Sequence, residues 1–233
     1  PFLINDRGFS VLPITSLRLA HRAPTARLST GIAGLDEMMG GRGFLRGSTI
    51  LVSGTAGTGK SSIAAHLVAS ACARGERALY FSFEESPDQL IRNMRSIGLD
   101  LEPWVNRGLL SFVATRPSAY GLETHLLESY RQVEEFRPSV VVLDPVSDMT
   151  GMGRHADVHT MLTRLIDHLK GLEVTALLTS LTGGTSSDLD TEVGISSLID
   201  TWIVVHSFET VGERNRGIGI IKSRGMEHSN LVR

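Results

Sequence analysis

Gly54-Thr-Ala-Gly57-Thr-Gly59-Lys60-Ser61 is the stretch of this chain that decides its fold. An apolar run at residues 48–53 precedes it, and a run of small residues at 61–67 follows it. The spacing Gly-x-x-x-x-Gly-Lys-Ser between a strand and a helix is typical of a phosphate-binding loop, or P-loop, whose backbone N–H groups face an anion. The alternative is a glycine-rich turn before a helix, but eight matching positions and both flanks favour the P-loop. The sequence therefore predicts a nucleoside triphosphate site.

Two side chains of the P-loop have specific chemistry. Lys60 is expected to reach the β- and γ-phosphates, which makes it a catalytic candidate, and the Ser61 hydroxyl is expected to bind Mg²⁺. We assign the other nucleotide contacts of this region to Thr55, Ala56, Gly57, Thr58, Gly59 and Ser62.

Length and composition are those of one large α/β domain, with 233 residues, 41% hydrophobic and 21% charged. The formal net charge of −2 gives no reason to expect a nucleic acid or another polyanion as partner. The single cysteine, Cys72, lies in a helical pattern and is expected to pack in the core, so no disulfide framework is predicted. No apolar run approaches a membrane span and no signal-peptide pattern is present, which predicts a cytoplasmic protein without a membrane partner.

Strand and helix patterns alternate along the chain after the P-loop. Strand patterns lie at 77–83, 109–114, 139–144 and 174–180, and helical patterns lie at 88–97, 122–136 and 158–169. Apolar runs at 202–205 and 218–221, joined by 213–217, predict a hairpin. The predicted fold is α/β, with a mostly parallel twisted sheet, helices on both faces and an antiparallel hairpin at one edge.

The front of the chain differs from the rest. Residues 1–28 have the pattern of a short strand and a linker, so the main domain is expected to occupy residues 29–233. A short helix is predicted at 33–39, with Ser29 or Thr30 as its N-terminal cap.

Carboxylates follow two of the predicted strands, at the edge where ligands bind in open α/β sheets. Asp144 takes the Walker B position, which holds Mg²⁺ directly or through water; the alternative is a strand-ending carboxylate in a turn before Pro145. Glu84 is our candidate for the general base that deprotonates an attacking hydroxyl, and it joins Ser61 and Asp144 as a candidate Mg²⁺ ligand. Glu85 is either its catalytic partner or a residue that starts a helix, since acids favour the first turn.

Several motifs together resemble the KaiC family of RecA-like ATPases. Besides the P-loop and Asp144, they are Leu28-Ser-Thr-Gly-Ile-x-x-Leu-Asp36, Phe83-Glu-Glu-Ser86, Ile195-Ser-Ser-Leu-Ile-Asp-Thr201 and Lys222-x-Arg-Gly-x-x-His228. The resemblance covers nearly the whole chain and is strongest to the second of the family's two tandem ATPase domains. Residues 2–11 resemble the end of the first domain, so a further domain is expected before them and a tail after Arg233.

The resemblance implies ATP and Mg²⁺ as cofactors, ATPase activity, and a ring of six identical subunits with ATP between neighbours. It also implies serine/threonine autokinase activity on two adjacent hydroxyl residues. These match Ser196 and Ser197, with Ser197 replacing the family's threonine, and Thr191 matches a third hydroxyl. The alternative is that the Ser-Ser pair belongs to a purely structural turn or helix.

The same resemblance changes the interpretation of the C-terminal motif. By spacing alone, residues 222–228 are more typical of a solvated surface turn. In the family, the residues that match Lys222 and Arg224 reach the γ-phosphate of the neighbouring subunit. Further nucleotide contacts match Arg216, Ser223, Gly225 and His228, and a KaiB-like protein is the implied partner.

Two departures from the family pattern are visible. Ile97 replaces a tryptophan near the nucleotide, so looser base contacts are expected, and the loop at 182–188 differs in composition.

Two other functions remain open. A RecA-type motor acting on DNA needs basic or aromatic loops, which the acidic, hydroxyl-rich residues 183–190 do not supply. A signalling scaffold, in which the nucleotide only controls oligomer state, would show slow turnover and no phosphoserine.

Overall fold

The fold is taken from a computed structural model and is described for residues 2–5, 8–11, 23–182, 195–210 and 212–233. The strands are β1 (Phe2–Asn5), β2 (Gly8–Val11), β3 (Arg27–Leu28), β4 (Phe44–Leu45), β5 (Thr49–Gly54), β6 (Ala78–Ser82), β7 (Leu110–Ala114), β8 (Val140–Asp144), β9 (Thr175–Leu181), β10 (Thr201–Thr210) and β11 (Glu213–Ser223). The helices are α1 (Ala33–Met38), α2 (Lys60–Ala73), α3 (Pro87–Ser96), α4 (Glu102–Asn106), α5 (Leu122–Phe136) and α6 (His155–Gly171). The predicted loop at 183–190 and Thr191 lie outside the described residues.

A seven-stranded sheet organises the domain, in the order β11-β10-β5-β9-β8-β6-β7. All neighbouring strands in it are parallel except β10 and β11, which are antiparallel at the edge. One hydrophobic cluster joins α1, α2 and α3 to one face of the sheet, and a second joins α5 and α6 to the other. The predicted α/β fold is therefore confirmed.

The P-loop strand β5 lies inside this sheet, between β9 and β10, and all six of its residues are buried. Its side chains alternate between the two clusters, with Ile50 and Val52 in one and Leu51 in the other. At its carboxyl end, a Cβ on Gly54 would lie 2.3 Å from the Val205 carbonyl oxygen of β10. Only glycine allows the two backbones to approach so closely, so the contact between β5 and β10 by itself requires glycine at position 54.

The edge hairpin is longer than predicted. Residues 213–217, expected to join its two strands, belong to β11 and continue the pairing, with Ser207 opposite Arg216 and Glu209 opposite Arg214. An exposed ion pair between the Glu209 and Arg214 side chains lies across this extension. The extension places Arg216 inside a strand, with consequences for the site.

The expected cap of α1 is wrong. Ile32 precedes the helix and no side chain caps it. Ser29 and Thr30 instead donate from their hydroxyls to the two carboxylate oxygens of Asp36, at 2.6 and 2.7 Å. The two hydroxyl oxygens accept backbone N–H groups before the helix, from Gly31 and Ile32, and not those of its first turn.

Other segments were not anticipated from the periodicity, namely α4 and three 3₁₀ segments at Pro117–Ala119, Val146–Met152 and Ile195–Leu198. They are too short for a hydrophobic period to be visible.

Cys72 is buried as expected, and burial raises the pKa of its thiol to about 11. Within the described ranges, no helix combines the length and the apolar character needed to cross a membrane.

One buried imidazole makes the stability of the fold dependent on pH. His168 stacks on the ring of Tyr130, with centroids 4.0 Å apart, and burial lowers its pKa from the usual 6.5 against the attraction of Glu134. The unfolded chain then binds a proton more readily than the folded one. The contribution is fully present above about pH 6.5 and is lost as the pH falls through the folded pKa.

We expect His168→Phe, which keeps an aromatic ring against Tyr130, to flatten the fall in unfolding free energy below about pH 6.5. Urea denaturation of the variant and the wild type across this range measures the effect. The exposed His155, changed to Gln, is the control and should leave the pH dependence intact. Identical pH profiles for His168→Phe and the wild type would contradict this role of His168.

Candidate nucleotide-binding site

The P-loop connects the carboxyl end of β5 to the first turn of α2. Gly59 immediately precedes the helix with a φ of 101°, in the left-handed region that favours glycine. A Cβ at Gly57 or Gly59 would meet nothing within 4 Å, so the loop leaves open space above the start of α2. The loop thus has the open concavity expected of a phosphate cradle.

A cavity of about 360 Å³ lies over this loop, and we call it the phosphate cavity. It is lined by Ala56, Gly57, Gly59, Lys60, Ser61, Ser62, Glu84, Asp144, Pro145, Leu181 and Arg216. The ends of four parallel strands and one residue of β11 therefore meet at one place. Thr55 and Thr58 support the loop from within, since the Thr58 hydroxyl donates to the Thr55 carbonyl oxygen at 2.8 Å.

Lys60 lies across the base of the loop. Its ammonium group donates to the carbonyl oxygens of Gly54 and Thr55, at 2.9 and 2.8 Å. Burial lowers the pKa of Lys60, while the nearby carboxylates of Asp144 and Glu84 oppose that shift. The ammonium is thus held against the backbone of the P-loop, and Lys60 lines the cavity in which phosphate oxygens are expected.

Asp144 is held by two buried hydroxyl groups. Tyr80 donates its phenol to one carboxylate oxygen at 2.5 Å, and Thr179 donates its hydroxyl to the other. Burial and the Asp144 charge raise the pKa of Tyr80 well above its usual value, so the phenol remains a donor. These two bonds fix the direction of the carboxylate.

Sequence reasoning missed Tyr80 and left Thr179 without a role. The available signal was the presence of hydroxyl groups inside strands that are otherwise apolar, because buried polar groups require a partner. Only the register of the sheet, in which β6 and β9 flank β8, shows that the partner is Asp144.

The two adjacent glutamates point in different directions. Glu84 lines the phosphate cavity and is exposed to it. Glu85 accepts a bond from the Asn93 side chain of α3 at 3.0 Å, and its backbone N–H and carbonyl both bond the Ser82 hydroxyl. Glu84 is therefore the acid that faces the cavity, whereas Glu85 connects β6 to α3.

The residues of the phosphate cavity fit a magnesium ion bound together with phosphates. Ser61, Asp144 and Glu84 all line it, which supplies one hydroxyl and two carboxylates. Among the described residues, no cluster of three or more His, Cys, Asp or Glu side chains could hold a metal unaided. Mg²⁺ commonly binds through one or two carboxylates plus substrate phosphates, so the smaller donor set agrees with its chemistry.

A further carboxyl group, Asp148, lies close to the phosphate cavity and was not predicted. It belongs to the 3₁₀ segment after β8 and lines a neighbouring cavity of about 420 Å³ with Arg116. Burial raises the pKa of Asp148 to about 6; Glu84 and Asp144 act in the same direction and Arg116 acts against them. Nothing in its sequence context distinguished it from an ordinary turn residue.

The C-terminal motif lies at the opposite end of the sheet. Lys222 is paired with Trp202, which is paired with Leu51 in β5, and the Arg224 N–H donates to the Asp200 carbonyl oxygen. We call residues 222–228 the basic turn. Counted along β5, Lys222 is level with Leu51, three steps or about 10 Å from Gly54 at about 3.3 Å per residue, and Arg224 lies further away. The structure therefore does not bring the basic turn to the phosphate cavity of its own chain.

The remaining residues assigned to nucleotide contacts divide between the two ends. Arg216 lines the phosphate cavity. Ser223 shares a 3.1 Å hydroxyl contact with Thr201, Gly225 lines a groove with Arg224, and His228 bonds the adjacent Ser229 carbonyl. These last three belong to the basic turn.

Ser196 and Ser197 also lie at the far end of the sheet, in the 3₁₀ segment Ile195–Leu198, which we call the serine segment. Ser197 is exposed and Ser196 is half-buried. The Lys222 ammonium donates to the Ser196 carbonyl oxygen, so the serine segment and the basic turn are joined. Ile97, the departure noted near the nucleotide, is 54% exposed at the end of α3.

Comparison with known proteins agrees with these features. The model of the KaiC family of ATPases matches residues 28–232. Over its full length the chain is 52% identical to the "Circadian clock protein KaiC2" of Synechocystis sp., of which it covers 41%. It is 37% and 36% identical to proteins named "Circadian clock oscillator protein KaiC" from Acaryochloris marina and Synechococcus elongatus, covering 45% of each. The chain thus spans less than half the length of these relatives.

We expect Lys60→Ala to weaken ATP binding by about 10- to 100-fold, because a hydrogen bond to a charged group contributes about 1.5–3 kcal/mol. Isothermal titration of the purified chain with ATP and Mg²⁺ measures the affinity. Arg107→Ala, at an exposed cation beside Trp104 and far from the P-loop, is the control. An unchanged affinity in Lys60→Ala would contradict the assigned site.

Proposed function

The chain belongs to the KaiC family of RecA-like ATPases, and from this premise we propose that it hydrolyses ATP and phosphorylates itself on Ser196 and Ser197 within a ring of identical subunits. One observation carries the proposal. The phosphate cavity lies at one end of β5, while the basic turn and the serine segment lie together at the other. Groups separated in this way can act on one nucleotide only when the basic turn and serine segment of one subunit lie against the phosphate cavity of the next.

The phosphate cavity supplies the binding half. Lys60 and Arg216 offer cations to the phosphates, and Ser61 and Asp144 offer oxygen ligands to Mg²⁺. The ion, when bound, neutralises negative charge on the β- and γ-phosphate oxygens. Because Tyr80 and Thr179 already fix the Asp144 carboxylate, little reorganisation is needed when the nucleotide binds.

Glu84 supplies the proton acceptor. The attacking hydroxyl, from water or from serine, loses its proton to the Glu84 carboxylate as its oxygen bonds to the γ-phosphorus. The bond between the γ-phosphorus and the oxygen bridging to the β-phosphate breaks, and ADP leaves with that electron pair. Supporting this role, Glu84 lines the phosphate cavity while the Asn93 side chain holds Glu85 away from it.

The basic turn of the neighbouring subunit supplies the completing charge. The transferring phosphoryl group spreads negative charge over its equatorial oxygens, and a cation supplied by a neighbour increases the rate by about 10³–10⁵-fold in comparable enzymes. Arg224 is exposed and Lys222 is half-buried, so Arg224 is the better placed to reach across an interface. Activity would then depend on assembly.

The names of the relatives suggest a cellular role for the proposed activity. Because those proteins are named for the circadian clock, we place this chain in a clock-type protein that forms a six-membered ring in the cytoplasm. A KaiB-like protein is the partner that this assignment suggests. The exposed fraction of Ser197 is consistent with a modification site that changes how a partner docks.

Incubation of the assembled chain with ATP and Mg²⁺ should add phosphate to Ser196, Ser197 or both, detectable by mass spectrometry of peptides. Ser196→Ala and Ser197→Ala should each remove one position, and the double variant should remove all label from the segment. Ser118→Ala, at an exposed serine on a different loop, is the matched control. Assembled, ATP-bound protein without label on either serine would overturn the autokinase assignment.

Arg224→Ala should reduce ATP hydrolysis by about 1,000-fold, as for a cation supplied in trans, with ATP affinity little changed. An equimolar mixture with Lys60→Ala, which has an intact basic turn, should recover about a quarter of the wild-type rate, since one interface in four combines two intact halves. A phosphate-release assay before and after mixing measures both effects.

The control mixture combines Lys60→Ala with Glu84→Gln. Both changes damage the phosphate cavity, so every interface keeps one defect and no activity should return. Failure of Arg224→Ala and Lys60→Ala to complement each other, in rings shown to be mixed, would contradict a site shared between subunits.

A further inference from the structure

One acidic side chain, Asp200, lies at the meeting point of four segments at the far end of the sheet. It falls between the serine segment and β10, and its side chain is only 20% exposed. Its backbone N–H donates to the Thr49 carbonyl oxygen at 2.9 Å, and its own carbonyl oxygen accepts the Arg224 N–H at 2.8 Å. The main chain of one residue therefore connects the start of β5 to the basic turn.

The Asp200 carboxylate makes two further bonds. One of its oxygens accepts the backbone N–H of Thr49 and the ammonium of Lys170, each at 2.8 Å. Lys170 lies in the last turn of α6 and is as well buried as its partner, with 17% of its side chain exposed. The carboxylate thus ties the end of α6 to the start of the P-loop strand.

Three cations surround this single acid. Lys170, Lys222 and Arg224 are close enough to affect one another: burial lowers the pKa of Lys222, Arg224 and Lys170 lower it further, and Asp200 opposes them. Lys170, Asp200 and Arg224 also line one groove of about 330 Å³. Without the Asp200 charge, like charges at short range would push the basic turn away from Lys170.

We propose that Asp200 is a positioning residue for the half of the reaction that one subunit presents to the next. Asp200 follows the serine segment in the chain and bonds the backbone of the basic turn, and its bonds to Thr49 fix both relative to the start of β5. This inference rests on the proposed function. It names the residue that aligns the basic turn and the serine segment for the neighbouring subunit. Asp200 touches neither nucleotide nor reacting atoms and acts through Lys170, Lys222 and Arg224.

The test uses Asp200→Asn, which keeps an acceptor for the Thr49 N–H and nearly the same volume but removes the charge. Misplacing reacting groups by about 1 Å can cost about 100-fold in rate. We expect kcat for ATP hydrolysis to fall by that order while the KM for ATP and the ATP affinity of the chain stay within about twofold, because the phosphate cavity is untouched.

The matched control is Glu76→Gln. Glu76 has the same 20% side-chain exposure and also binds cations, Arg46 and Arg74, but among the described residues its carboxylate bonds to neither the serine segment nor the basic turn. Its change should leave kcat unaltered. An equal loss of kcat in Glu76→Gln would mean that any buried carboxylate at this end matters, and would overturn the specific role of Asp200.

Mixing separates positioning from a general loss of structure. Asp200→Asn mixed with Lys60→Ala should recover about a quarter of the wild-type rate, because an intact phosphate cavity then meets a neighbour with an intact far end. Asp200→Asn mixed with Arg224→Ala should recover nothing, since both changes damage the same half. The opposite pattern would overturn the inference.

The outcome also distinguishes this inference from the proposed function. If Arg224→Ala complements Lys60→Ala but Asp200→Asn does not, the shared site stands and the role of Asp200 is wrong. If neither complements, the shared site itself fails. Should Asp200→Asn not fold, Lys170→Met removes the same ion pair from the α6 side but also removes one repelling cation, so we expect a smaller fall in kcat, again with complementation by Lys60→Ala. A fall in kcat that Lys60→Ala does not complement would overturn the inference.

Discussion

The direction of one buried strand, β5, determines at which end of the sheet each group of the proposed site lies. β5 is sealed between β9 and β10, with all six residues buried, and Gly54 lets its last residue approach β10 closely enough to hold the P-loop rigidly. Because the strand cannot bend, its two ends stay about 16 Å apart at about 3.3 Å per residue. The residues of the phosphate cavity lie at one end, and the basic turn and serine segment lie at the other. This separation is the basis of our proposal that two copies of the chain share one site.

Each end of the sheet is organised around one carboxylate. At the phosphate cavity, Asp144 is fixed by Tyr80 and Thr179. At the far end, Asp200 is fixed by Thr49 and Lys170 and in turn holds the backbone of Arg224. Asp144 is buried and both of its carboxylate oxygens accept hydrogen bonds, whereas Asp200 is 20% exposed and bonds Thr49 and Lys170 through one oxygen. By contrast, three side chains that act directly in the proposed function are exposed, namely Glu84, Arg224 and Ser197.

Much of the fold could be predicted, because its signals are local. The P-loop is a contiguous motif, and the central strands are continuous apolar runs, as buried parallel strands are. What failed depended on contacts between distant segments. Asp36 takes the hydroxyls expected to cap α1, and Arg216 lies in a strand because the hairpin pairing continues past the predicted turn. Tyr80 is recognisable as the partner of Asp144 only from strand register, which no local pattern encodes.

A structure of the assembled chain with ATP and Mg²⁺ bound tests the division between two subunits most directly. The distance to measure joins the γ-phosphate to the nearest cationic nitrogen of each subunit. We expect Lys60 of one subunit and Arg224 or Lys222 of its neighbour to contact the same triphosphate. A triphosphate bound in the P-loop with both neighbouring cations more than about 10 Å away, beyond a Debye length, would contradict the shared site.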